Sequence, residues 1–346
     1  MAKGRATAIE EIDMISKTLS AVAASLFAFA TVPAHAAVKH PASISADVHE
    51  LHDTRFADVV HHVIRVNGVR FHYVIAGSGE PVVLLPGWPE SWIAWRKMIP
   101  LLTAAGRQVI VLEPRGFGDS DKPQTGYDLD TAARDLHDFL VATGLNRPGG
   151  VDIVAHDVGT WIAHAHAVAY PGDVKRLVLT EAPILGVSPT PAGVPSEALN
   201  LKLWQFDFNR LHDLPETLVQ GHERAYLSWI FQTKSSRDYA IEPAALDEYV
   251  RVFSVPGAAR AGFEWYRAAF NPEGLAQQQA RTKLRLTMPV LALGGSDGLA
   301  DRLKTSVATI GDHVEGGALP GCGHFLPEEC PAQFTDAVLT FWHNNR

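Results

Sequence analysis

The sequence predicts an α/β protein: a mostly parallel β-sheet with helices on both faces and an inserted helical cap. Three features of its 346 residues predict this. From about residue 59 short apolar runs alternate with helical stretches, the rhythm of strand–crossover–strand units. One run, Val151-Asp152-Ile153-Val154-Ala155-His156-Asp157-Val158-Gly159, turns from strand to helix between the small residues Ala155 and Gly159. Between 183 and 281 the strand rhythm stops, and aromatic residues recur at helical spacing: Trp204, Phe206 and Phe208, then Tyr226 and Trp229.

Residues 63–66 and 69–75 read as an opening hairpin around Asn67-Gly68, a dipeptide that accepts the positive φ angles of a tight turn. Apolar runs then mark strands at 82–85, 109–112, 151–154, 177–180 and 290–293, with a last strand near 313–318. The core is thus 37–182 plus 282–346, and 183–281 is the cap. A small-molecule site is expected between the two lobes.

The first 36 residues read as an export leader. Lys17 precedes an uncharged apolar stretch at 19–32, too short to span a bilayer comfortably, and Ala34-His35-Ala36 forms a small-x-small cleavage site. Translation from Met14 instead of Met1 would give an ordinary leader, because it removes the acidic Glu10, Glu11 and Asp13. The expected location is the periplasm or outside the cell, with no membrane span left after cleavage. Cys322 and Cys330 are the only cysteines, and in an oxidising compartment a pair this close can bridge. A formal net charge of −8 without a basic run argues against nucleic acid as a partner.

The turn at Asp157 has the form of a nucleophile elbow, whose sharpness requires small flanking residues. Serine attacking a saturated carbon would leave a stable ether, whereas a carboxylate leaves an ester that water can cleave. An aspartate here therefore points to an electrophilic sp³ carbon, as in an epoxide or alkyl halide. Ester cleavage needs a general base, and His324 lies in the Gly-rich loop Pro320-Gly321-Cys322-Gly323 after the last strand. Most other histidines read as structural: His61 and His62 ahead of a strand, His164 and His166 on a helix. His156 reads as a support beside the nucleophile. No metal-ligand cluster and no cofactor motif is evident. Two loop carboxylates, Glu181 and Asp297, each follow a strand and qualify to orient His324; spacing leaves both open. The N–H groups of Trp88, in Pro86-Gly87-Trp88-Pro89, and of Val158 are the expected oxyanion donors.

On these residues the chain resembles the epoxide hydrolase and dehalogenase branch of the α/β-hydrolases over nearly all its mature length. The motifs are PGWPESW, EPRGFGDSDKP, AHDVGTW, TEAPI, FEWYRA and GCGHFLPEEC. With the leader, the last four resemble a secreted subgroup of epoxide hydrolases in particular. The resemblance implies the α/β-hydrolase fold, Glu181 as the triad acid, a Cys322–Cys330 bridge, and Tyr266 as a ring-opening residue. Two positions depart from the family pattern. Pro86 stands where the oxyanion loop carries histidine, and Gln205 stands where the cap carries the ring-opening histidine; an amide can donate a hydrogen bond but gives up no proton.

The expected partner is a small molecule with an electrophilic carbon, and the expected reaction is epoxide opening to a diol. Haloalkane or haloacetate dehalogenation by the same nucleophile is the nearest alternative, with Trp88, Trp204, Gln205 and Trp265 as a halide cradle. Val158, however, replaces the Trp or Arg that dehalogenases carry after the nucleophile. A silent ligand-binding protein of this fold is the alternative from another class. A homodimer stays open.

Overall fold

A computed structural model describes residues 51–189 and 193–346; the expected leader and the choice between Met1 and Met14 lie outside them. Nine strands form one sheet: β1 (Leu51–Asp53), β2 (Val59–Val66), β3 (Val69–Ala76), β4 (Glu80–Leu85), β5 (Arg107–Leu112), β6 (Val151–His156), β7 (Val174–Thr180), β8 (Val290–Gly295) and β9 (Val314–Leu319). Their spatial order is β1-β2-β3-β5-β4-β6-β7-β8-β9. The first three strands and the β3–β5 pair are antiparallel, and every pairing from β5 through β9 is parallel. From β4 the chain steps to β5 on one side and then crosses to β6 on the other. Loops leaving β4 and β6 therefore diverge over the carboxyl ends of the strands, where open α/β sheets place their sites.

The central strands are buried along their whole length, which explains why they read as continuous apolar runs. The sequence missed β1 and began β2 four residues late. His61 and His62 lie within β2, not ahead of it: their polarity hides the strand period, but the His61 ring bonds across to His72 at 2.8 Å.

Helices α1 (Ile99–Ala104), α2 (Leu129–Ala142) and α3 (Val158–Ala169) belong to the core. The helices that follow β7 are α4 (Glu197–Arg210), α5 (Leu214–Val219), α6 (Glu223–Lys234), α7 (Pro243–Phe253), α8 (Ala258–Phe270) and α9 (Pro272–Arg281), and they occupy the segment expected as the cap. Among the described cap residues there is no strand. The chain then returns through β8, α10 (Arg302–Ala308), β9, the short α11 (Leu326–Glu329) and α12 (Pro331–Asn344). No helix among the described residues is long and apolar enough to cross a membrane.

An ion cluster ties the sheet together near its other end. Asp152 of β6 accepts from Arg176 of β7 at 2.6 and 2.7 Å and also bonds Arg107 of β5. All three are buried, and Arg176 also donates to the carbonyl of Trp342 in α12.

Candidate active site

Four loops at the carboxyl ends of parallel strands converge: Trp88 after β4, Asp157 after β6, Glu181 after β7 and His324 after β9. Asp157 sits at the join of β6 and α3 with φ 49° and ψ −120°, a strained backbone for a residue with a side chain. The packing shows why the elbow needs glycine. A Cβ on Gly159 would lie 2.6 Å from the carbonyl oxygen of Leu85, and one on Gly87 would lie 2.6 Å from the Cβ of Asp157. Thr160, one turn on, braces the elbow by donating to Thr180 O at 2.9 Å.

Trp88 N–H donates to Asp157 Oδ1 at 3.0 Å, and Val158 N–H also bonds the carboxylate. Oδ2 faces His324 Nε2 at 3.5 Å. On the far side of the ring, Nδ1 meets Glu181 Oε2 at 3.0 Å. Glu181, at φ 52°, has its other oxygen fixed by the N–H groups of Gly295 (2.7 Å) and Leu299 (2.9 Å). Asp297 is exposed, and its own N–H bonds Cys322 O at 3.0 Å.

A family model described as the alpha/beta hydrolase fold matches residues 80–331. The chain belongs to the α/β-hydrolases. Within them it falls in the epoxide hydrolase and dehalogenase branch, and it is an enzyme. It is 36% identical to the soluble epoxide hydrolase of a Corynebacterium strain, over 82% of this chain and 98% of that one. To mouse epoxide hydrolase 3 it is 27% identical over 80% of this chain and 75% of that protein. Among solved structures it is similar to Cfl2 of Burkholderia cenocepacia, with TM-score 0.80 and 37% identity over 85% of this chain and 99% of that one. To the epoxide hydrolase CorEH it is similar at TM-score 0.76 and 34% identity, over 84% of this chain and 100% of that one.

In this hydrolase burial governs the ionisation of the site. It lowers His324 to about 4, helped by the nearby Lys234, so the ring is neutral near pH 7. It pushes Glu181 up to about 8, against the pull of its two backbone donors and Lys234. It raises Asp157, opposed by His324, Lys234 and the Val158 and Trp88 N–H groups. His156 is held well below its usual range, also by burial; its Nδ1 lies 3.2 Å from Thr180 Oγ1 and its Nε2 3.5 Å from Glu90.

From the cap, α8 brings Tyr266 over the site, where the ring meets Trp88 edge-on at 5.2 Å. Gln205 of α4 is buried beside it, and burial together with Asp157 lifts the Tyr266 phenol well above its usual range. Trp204 joins the same aromatic group through Tyr226, at 5.9 Å. Trp265, expected in the pocket, points elsewhere: it packs edge-on against Phe117 and Tyr127 of the core. Adjacent residues on a helix are turned about 100° apart, so α8 gives Tyr266 to the site and Trp265 to the interior. A surface hollow of about 220 Å³ beside Val60, His62 and Gly77 is bordered by none of these residues.

Sequence reading missed two site residues. Glu329, buried within the quoted GCGHFLPEEC motif, accepts from Gly323 N at 3.1 Å, Phe325 N at 2.9 Å and the cap's Ser236 N at 2.7 Å. It thereby clamps the His324 loop to the cap. Lys234, at the end of α6, gives its carbonyl to His324 N at 3.0 Å and directs its ammonium inward. Neither has a signal of its own, since each is one charged residue in an amphipathic stretch. The reading also found no metal-ligand cluster, yet donor atoms of His72, Glu113 and Asp119 lie within 4.8 Å of one another. His72 lies in β3 and Glu113 and Asp119 in the segment after β5, and they already bond each other, His72 to Glu113 at 2.7 Å and Asp119 N to Glu113 at 2.7 Å. The Cys322–Cys330 disulfide is formed, with Cα atoms 6.0 Å apart.

Proposed function

We propose that this enzyme opens an epoxide to a diol through a covalent ester on Asp157, which water activated by His324 then hydrolyses. The observation that carries the reading is the unequal treatment of the Asp157 oxygens. Oδ1 is held by Trp88 N–H at 3.0 Å, while Oδ2 lies 3.5 Å from His324 Nε2. Oδ2 is the free nucleophile. Once it is alkylated, water attacks the ester carbon, and the charge that develops on Oδ1 meets donors already in place. His324, neutral and backed by Glu181, takes the water proton.

Tyr266 faces the developing alkoxide from the cap. The names of the similar proteins favour an epoxide over a halide, and Trp265 is committed to the core instead of a halide cradle. The leader and the disulfide support export to an oxidising compartment.

Incubating a His324→Gln variant with a panel of epoxides and following intact mass tests the reading. An adduct of substrate mass that peptide mapping assigns to Asp157 is expected, because attack survives while hydrolysis loses its base. An adduct on another residue, or no diol from the parent protein with any epoxide, overturns it.

A further inference from the structure

Ring opening creates an alkoxide that must be protonated, and the cap's obvious residues are poor acids. Gln205 releases no proton. Tyr266, buried and facing Asp157, is a weaker acid than an ordinary phenol. Bonded to Gln205 is Lys234, 7% exposed and without a carboxylate ion pair among the described residues. Its ammonium donates to Lys202 O at 3.0 Å. With the Gln205 amide oriented by its partners, Nζ also donates to Oε1 at 2.6 Å, and Nε2 donates to Lys202 O at 3.3 Å. Burying an ammonium against an amide and a carbonyl is costly and does little for the fold, which marks a functional group.

We propose that Lys234 supplies the proton for ring opening, with Gln205 holding its ammonium, so that the pair does together what one imidazolium would do. The inference rests on the epoxide reading above. Asp157 Oδ2 forms a bond to the epoxide carbon, the C–O bond breaks, and the oxygen takes a proton from Nζ, leaving a neutral amine and a hydroxyalkyl ester. In the second half His324 takes a proton from water as hydroxide adds. The tetrahedral adduct collapses as the leaving alkoxide takes the proton from His324, giving the diol, and the proton of the regenerated Asp157 carboxyl passes through solvent to Lys234, so the sum is epoxide plus water to diol.

The charge count agrees with this assignment. The ammonium interacts electrostatically with Asp157, Glu181, His324 and Lys202. Burial lowers Lys234 to about 8, while Asp157 and Glu181 hold it up. A donor near that value is well matched to work close to neutrality.

The test measures single-turnover alkylation by intact mass in the His324→Gln background, where the second half-reaction is silent. Lys234→Met, which keeps the volume, should slow alkylation by an epoxide by about 10²-fold or more. It should spare alkylation by an alkyl bromide, whose leaving group takes no proton. Lys234→Arg should also be slow with the epoxide, because a guanidinium keeps its proton. The Lys234 protein should lose epoxide alkylation above about pH 8, and Lys234→Met should lack that limb. Circular dichroism checks that the variants are folded. Parental epoxide rates in Lys234→Met, equal losses with epoxide and bromide, or full rescue by arginine each overturn the proposal while leaving the ester mechanism standing. Absence of any epoxide adduct in the Lys234 protein instead brings down the epoxide reading itself, and this proposal with it.

Discussion

His324 Nδ1 lies 3.0 Å from Glu181 Oε2, and the only other candidate acid, Asp297, is exposed. The residue before each candidate ends or follows a strand, so sequence position alone treats them alike. What separates them is direction. Glu181 follows β7, next to β6, which leads into Asp157, and its carboxylate is pinned by two backbone N–H groups so that Oε2 meets the ring. Glu181→Gln replaces the carboxyl group that holds Nδ1 with an amide that can present its NH2 to the ring, and turnover should fall by about 10²–10⁴-fold. Asp297→Asn changes an exposed side chain and should stay within about twofold of the parent. Steady-state diol formation by the two variants decides the order, and a larger loss in Asp297→Asn reverses the assignment.

The same carboxylate carries a stability cost of known sign. Its folded pKa of about 8 is above the ordinary 4.5, so the native state favours the protonated form. The contribution is full below about pH 4.5 and is lost as pH rises through about 8. Glu181→Gln cannot ionise. The variant should therefore be as stable as the parent at pH 5 and more stable at pH 9, with Tm higher by about 2–4 °C for each kcal/mol relieved. Thermal melts at the two pH values measure this directly. A variant that loses activity and also melts lower at pH 9 would show that the charge supports the fold instead of burdening it.

The fold was legible where physical demands are local. An elbow that admits no side chain at 159 writes a glycine into the sequence, and a fully buried strand writes an apolar run such as Val151–His156. Demands met by distant partners leave no local trace. His61 looks like a loop residue until His72 is found across the sheet, and Glu329 looks like an exposed helix residue until three N–H groups are found pointing at it. Lys234 belongs to the same group: what sets it apart is Gln205, twenty-nine positions away on another helix. Trp265 shows the opposite error. Its neighbour Tyr266 faces the site, and nearness in sequence says nothing about which way a helix turns its next side chain.

The disulfide bears on catalysis through the loop it closes. Cys322 and Cys330, eight residues apart, bracket His324, Phe325 and the clamp residue Glu329. A crosslink over so short a loop is worth about 2–3 kcal/mol on loop-closure entropy. Glu329 already ties the loop to Gly323, Phe325 and Ser236, so the native geometry has a second restraint. Cys322→Ser/Cys330→Ser should therefore fold and bind substrate, but with a lower Tm and with His324 held less firmly over Asp157. The loss should fall on ester hydrolysis, which needs His324, and not on alkylation, which needs only the elbow and the cap. Pre-steady-state mass spectrometry would then show the Asp157 ester accumulating during turnover in the double variant. Equal slowing of both half-reactions would mean that the bridge supports the whole site and not the histidine loop in particular.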